Sequence, residues 1–137
     1  EDIWKPAEHN GTFRGNQLGF VAGKAGLEYM LDNHVEDQVK RKAVIVEEFI
    51  KNEILPLDER LSYRGIGLMW GIDCAKLGGD VFSKEVIRRC FDKQLIIERA
   101  GRDSSVVKIM PPLIISEELL KAGLAIVKEA FIETLNK

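Results

Sequence analysis

The sequence predicts an α+β domain in which helices cover one face of a small, mostly antiparallel sheet. Three features point there. Apolar residues recur at helical spacing from Val35 to Ile54. Two pairs of short apolar runs, Leu61 to Cys74 and Leu95 to Ile109, are broken by polar or glycine-containing segments. A second strongly amphipathic stretch follows Ser116 and runs to the end.

Residues 1–15 read as loop, with Trp4, Pro6, Gly11 and Gly15. From about Asn16 to Leu31, Leu18, Val21, Ala22, Ala25 and Met30 follow a helical period, interrupted by Gly19, Gly23 and Gly26. Each glycine weakens an isolated helix by about 1 kcal/mol relative to alanine, so this helix needs support from other surfaces and is expected to expose apolar area. Self-association or a remodelled N-terminus would follow. In the next helix Val35, Val39, Ala43, Val46, Phe49, Ile50 and Ile54 form one face, and Pro56 marks the exit. The run from Leu61 to Cys74 reads as a strand or a strand pair with a glycine kink, and Gly78-Gly79 turns the chain. A helix over about Val81 to Lys93 is expected to bury Val86, Ile87, Cys90 and Phe91. Leu95 to Glu98 and Val106 to Ile109 read as strands around a hairpin or irregular loop, closed by Pro111-Pro112. Ser116 is a plausible N-cap, with Glu117 and Glu118 in the first turn and Leu120, Leu124, Val127 and Phe131 facing inward.

With 137 residues the chain can bury a core of its own, and its net charge of −2 argues against nucleic acid as a partner. Lys40-Arg41-Lys42, the densest basic run, reads as a solvated helix face. Cys74 and Cys90 are too few and too far apart for a zinc site or a disulfide framework, so no metal is expected and both read as core residues in a reducing, cytoplasmic setting. No apolar run is long enough to span a bilayer, and no membrane partner is expected.

The chemistry concentrates near the start, in Glu8-His9-Asn10-Gly11-Thr12-Phe13-Arg14-Gly15-Asn16-Gln17. A hydroxyl, two glycines that admit close backbone approach, and a helix N-terminus capped by Asn16 together suit an anion such as phosphate. This segment resembles the Gly-Ser/Thr-Thr-Phe-x-Gly-Asn motif of class III pyridoxal-phosphate aminotransferases. The resemblance continues in family order through Arg64-Gly65-Ile66-Gly67-Leu68-Met69-Trp70-Gly71-Ile72-Asp73, Leu95-Ile96-Ile97-Glu98 and Val106-Val107-Lys108-Ile109-Met110-Pro111-Pro112-Leu113. Arg14, with Asp2-Ile3-Trp4-Lys5-Pro6 ahead of it, is most similar to the branch of that family that handles 2,4-diaminobutyrate on the way to ectoine.

The resemblance implies the small C-terminal domain of a fold-type I pyridoxal-phosphate enzyme over residues 35–137. Residues 1–34 would be the end of the large domain and its connecting helix. It implies pyridoxal 5'-phosphate as cofactor, with Thr12 reaching the cofactor phosphate of a neighbouring subunit in an assembly of at least two copies. Gly11 and Phe13 belong to the same contact. The substrates implied are small amino and oxo acids: glutamate and aspartate 4-semialdehyde, with a 4-aminobutyrate or ornithine type as the alternative. A stand-alone binding or regulatory module is the alternative of another class.

Transamination also needs a lysine that bonds the cofactor and moves a proton. The family carries it upstream of the threonine motif, where this chain offers only Lys5 in an unmatched Ile-Trp-Lys-Pro setting. No catalytic residue is therefore assigned, and the chain alone is expected to be inactive. It begins without methionine inside a recognisable motif, so continuation upstream is expected.

Two further residues are candidates for substrate. Arg14 stands where most class III relatives have glycine, and could touch phosphate, an acidic substrate, or only a local partner. Lys108 stands where many relatives carry an arginine that clamps a carboxylate; lysine offers a more compact and less directional charge. A solvent-facing strand lysine is the other reading. Arg99 and Arg102 read as surface residues, and His9 and His34 as polar loop or helix-end groups.

Overall fold

A computed structural model describes residues 3–8 and 10–137, so the reading of His9 lies outside the described residues. The chain divides into two compact units, Glu1–His34 and Val35–Lys137. In the first, a turn-rich loop leads into helix α1, Gln17–Asp32. Asn16 caps it as expected, its Oδ1 accepting the Gly19 N–H at 3.0 Å. None of the residues of α1 is buried, and Leu18, Phe20, Val21, Leu27 and Leu31 are all exposed. His34, at φ 49°, sits in the turn after the helix.

The second unit opens with helix α2, Val35–Phe49, which continues through a π-helical turn at Ile50–Ile54 and a 3-10 turn at Leu55–Leu57. The Leu55 N–H reaches the Ile50 carbonyl, Pro56 sits in the closing 3-10 turn, where it has no N–H to give, and the backbone becomes extended at Asp58. Strands β1, Ser62–Ile66, and β2, Met69–Asp73, form a hairpin, resolving the single-or-double-strand alternative. Its two-residue connection is Gly67-Leu68, and Gly67 takes φ 56°, the left-handed region that a tight hairpin turn demands. Gly65 is needed for a different reason: a Cβ there would lie 2.5 Å from the Trp70 ring.

Helix α3, Asp80–Asp92, precedes strands β3, Glu98–Ala100, and β4, Val106–Ile109, and helix α4, Glu117–Leu135, closes the chain. The sheet order is β1-β2-β4-β3 with every pairing antiparallel. Ile72 pairs with Val107 and Trp70 with Ile109, so these four share one face. They meet Val46, Ile50 and Ile54 from the α2 run, Val86 and Cys90 of α3, and Leu120, Leu124, Val127 and Phe131 of α4 in one core. Ser116 caps α4 by accepting the Leu119 N–H at 3.2 Å.

Three expectations need correction. On α3 the buried set is Phe82, Ser83, Val86 and Cys90; Ile87 is half-buried and Phe91 is 65% exposed. Phe82 wins the inward position because its ring meets that of Phe131 on α4, with centroids 5.9 Å apart. Leu95 to Ile97 is not strand. Gln94 takes φ 65°, its N–H reaches the Phe91 carbonyl, and the Leu95 N–H reaches the Cys90 carbonyl at 2.8 Å. That double return bond is a Schellman cap, and it ties the segment to the helix end before β3 can begin.

The third correction concerns Lys42, which is 5% exposed and does not sit on a solvated face. Three consecutive helical residues sweep about 200°, and Lys42 lies three after Val39 and four before Val46, on the inward side. Its Nζ donates to the Leu113 carbonyl at 3.0 Å and to Gln38 Oε1 at 3.4 Å, tying α2 to the segment after Pro111-Pro112. Lys40 stays exposed beside Glu36.

Replacing Lys42 with methionine keeps the aliphatic stem and leaves the Leu113 carbonyl without its partner. A loss of about 1–3 kcal/mol in urea unfolding is expected; an unchanged midpoint would show that the bond contributes nothing.

Acid should also loosen the α3–α4 side. Hydrogen bonds from Arg88 and then Lys137 hold Glu85 down to about 2 from its ordinary 4.5. Glu133 is lowered by Lys93 and Arg89. A carboxylate whose acidity is increased by folding stabilises the fold above its unfolded value, and that contribution disappears as pH falls through the folded one. The melting temperature should therefore drop between about pH 4.5 and pH 2, with high salt reducing the drop because these groups are exposed. A flat profile over that range would contradict the assignment.

Candidate functional site

Gly11, Thr12, Phe13 and Arg14 lie in consecutive turn positions immediately ahead of α1. The Arg14 N–H donates to the Gly11 carbonyl at 3.1 Å and the Asn16 N–H to the Phe13 carbonyl at 3.3 Å, so two successive turns curl the backbone toward the helix start. Gly15 takes φ 77° between them, a conformation in which glycine carries no side-chain penalty. The Arg14 side chain folds back over Gly11, where a Cβ would stand 3.3 Å from Arg14 Nε. Thr12 and Phe13 both face solvent, Phe13 at 85% exposure.

Among the described residues this is a donor set without an internal acceptor. The Thr12 hydroxyl forms no hydrogen bond among the described residues, and Asn16 occupies the Gly19 N–H but not those of Gln17 and Leu18. A guanidinium, a hydroxyl and first-turn N–H groups are each of a type that binds anions, and the helix dipole has the matching sign. The residues present thus fit the phosphate of a cofactor. Among the described residues, no group of three His, Cys, Asp or Glu side chains is placed to hold a metal.

Lys108 belongs to the second unit. Strand alternation places it on the face away from Val107 and Ile109. In the ladder it stands between Gly71 of β2 and Glu98 of β3, and Arg64 of β1 continues the same cross-sheet row. Lys108 Nζ lies 2.6 Å from Glu98 Oε2, with side-chain exposures of 23% and 69%. The hydrogen bond from Lys108 and its positive charge hold the Glu98 carboxyl below its ordinary pKa. Lys108 is thus neither a free carboxylate clamp nor a purely solvent-facing lysine: it is a half-buried cation that already holds one carboxylate.

Both residues also line a groove of about 390 Å³ whose other walls are apolar, among them Leu95, Ile97, Met110, Pro112 and Leu124. The groove lies beside the start of β3, where the capped segment Leu95 to Ile97 is not paired with β4 and Ile96 is 81% exposed. Glu98 was missed in the sequence. Its signal was available only through the hairpin register, which sets it directly opposite Lys108. Arg99 pairs with Asp80 at 3.6 Å on the surface, as a bland loop arginine would. Cys74 and Cys90 are buried and unbridged, and burial pushes their thiols up to about 12 and about 11.

Known proteins give this geometry a context. The chain is 45% identical over 137 residues to the diaminobutyrate–2-oxoglutarate transaminase of Wolinella succinogenes, covering 99% of this chain and 31% of that protein. It is 43% identical over 138 residues to the enzyme of the same name from Halomonas elongata, covering 95% of this chain and 32% of that protein. The crystal structure of ornithine aminotransferase from Toxoplasma gondii superposes with a TM-score of 0.83 at 20% identity, over 98% of this chain and 31% of that one, and so shares the fold. The chain thus spans about a third of the length of the curated relatives it matches. The family model described as aminotransferase class-III matches residues 1–131, and the chain belongs to that family.

Proposed function

We propose that this chain is part of a pyridoxal-phosphate transaminase that exchanges an amino group between glutamate and aspartate 4-semialdehyde, yielding 2-oxoglutarate and 2,4-diaminobutyrate. The observation that carries the reading is identity of 45% and 43% to two transaminases named for diaminobutyrate, sustained over nearly all of this chain. Residues 35–137 would be the small C-terminal domain, and residues 1–34 the end of the large one. The diaminobutyrate formed would feed ectoine synthesis, and the buried, unbridged cysteines suit a reducing, cytoplasmic setting.

Pyridoxal phosphate, when bound, supplies the electron sink that makes amino transfer accessible. The work of this chain is to bind and to orient. Thr12 donates its hydroxyl to the phosphate, and Gly11 keeps the backbone low enough for that approach. Phe13 covers the contact with an apolar surface. The site is completed across an interface in an assembly of at least two subunits, with Thr12 serving the neighbour's cofactor. Arg14 adds positive charge beside that phosphate. Lys108 orients a substrate carboxylate as a point charge with three donors, where an arginine would impose a planar, bidentate grip. The lysine that bonds the cofactor is not assigned to any residue of this chain, so the 137 residues alone do not turn over.

Two measurements test this. The full-length protein, assayed with glutamate as donor, should prefer aspartate 4-semialdehyde to succinate semialdehyde; in reverse, preference for 4-aminobutyrate over diaminobutyrate would overturn the substrate assignment. In the same protein Thr12→Val should weaken cofactor binding, followed by absorbance titration, by about tenfold or more, the value of a hydrogen bond to a charged group. Unchanged binding would remove Thr12 from the phosphate site.

A further inference from the structure

Asn10-Gly11, just ahead of Thr12, is the one place in the sequence where glycine follows asparagine. Both residues are exposed and lie outside any helix or strand. Among the described residues neither the Asn10 carboxamide nor the Gly11 N–H takes part in a hydrogen bond, so the side chain can turn over the nitrogen that follows it. Glycine puts no Cβ in the way, and its backbone reaches conformations closed to other residues. Arg14 supplies a second element. Its side chain folds over Gly11, with Nε 3.3 Å from the position a Cβ would take, so a positive charge stands close to the same nitrogen and eases loss of its proton. The other asparagines lack these conditions. Asn16 accepts the Gly19 N–H, Asn33 donates to the Tyr29 carbonyl, Asn52 lies within the π-helical turn, and Asn136 is followed by the bulkier Lys137.

We propose that Asn10-Gly11 is a self-modifying site, where spontaneous deamidation installs a negative charge beside the cofactor phosphate and ages the protein towards its cofactor-free form. The Gly11 backbone nitrogen attacks Asn10 Cγ. The new N–C bond forms as the bond to the side-chain nitrogen breaks, and that nitrogen departs as ammonia, taking the proton from Gly11. Water then opens the cyclic imide, restoring the N–H and leaving a carboxylate: aspartate where water adds at the side-chain carbonyl, isoaspartate where it adds at the backbone carbonyl. Water is the only co-reactant. The carboxylate repels the phosphate, and the isoaspartyl form also lengthens the backbone leading into the Thr12 turns. This consequence rests on the reading of Thr12 as a phosphate contact, whereas the covalent step does not. A bound cofactor holds the loop in one conformation and so protects Asn10.

The test takes the full-length protein, stripped of cofactor, through prolonged incubation at mildly alkaline pH and maps its asparagines by peptide mass spectrometry. Asn10 should lose its amide while Asn16, Asn33, Asn52 and Asn136 keep theirs; Arg14→Gln should slow that loss, and saturating pyridoxal phosphate should suppress it. An Asn10 amide that lasts as long as the others would overturn the proposal. Asn10→Asp, made directly, should weaken cofactor binding about two- to tenfold in absorbance titration, and by less at high salt, as a unit charge near the phosphate would. If Thr12→Val weakens binding and Asn10→Asp does not, the ageing role is wrong and the phosphate reading of Thr12 stands. If neither substitution alters binding, the phosphate reading fails, and the ageing role with it.

Discussion

An apolar helix with nothing to bury it is the constraint on which the rest turns. Helix α1 places Leu18, Phe20, Val21, Leu27 and Leu31 over one half of its circumference and Ala22, Tyr29 and Met30 on the other, and not one of its residues is buried. Its polar side is narrow, marked by the Lys24–Glu28 pair one turn apart. A helix apolar nearly all round belongs inside a larger body, because water is a poor neighbour for so much hydrocarbon. Three glycines within it make isolated helicity weaker still. The phosphate-suited loop precedes this helix without a break, so whatever covers α1 also fixes the direction in which Thr12 and the first-turn N–H groups face. Relatives about three times the length of this chain provide enough polypeptide for such a cover.

The second unit behaves in the opposite way, since it closes a core of its own. Four antiparallel strands and three helices interlock around Ile50, Ile72, Val107 and Phe131. Lys42 reaches through this packing to the Leu113 carbonyl, and the Schellman cap at Gln94 sets where β3 begins. The consequence is local and chemical. The capped segment supplies the Leu95 to Ile97 wall of the apolar groove, and ladder register sets Lys108 and Glu98 opposite each other. A rigid strand thus presents one charge pair to a cleft that is otherwise hydrocarbon.

Periodicity made the regular elements legible. The α2 face, the inward residues of α4, and the Asn16 and Ser116 caps all follow from spacing and side-chain chemistry. What escaped depended on a partner element. Phe91 and Phe82 are equally apolar, and only the position of Phe131 decides which one turns inward. Leu95 to Ile97 has a strand-like composition, yet a helix cap with glutamine where glycine is usual claims it first. Lys42 was hidden by its basic neighbours, although its helical phase with Val39 and Val46 pointed inward. At the site, the Thr12 loop was readable as a motif. The Glu98–Lys108 contact required register, which no single strand encodes.

Amide hydrogen exchange across α1 tests most directly the view that residues 1–34 are completed by surfaces outside this chain. In the isolated 137 residues, amides from Gln17 to Asp32 should exchange nearly as fast as unstructured peptide, while Ile72 and Val107 in the second unit stay protected. In the full-length protein the same α1 amides should become strongly protected. Equal, strong protection of α1 in both would mean that the helix needs no external cover, and the case for an incomplete transaminase built around it would fall.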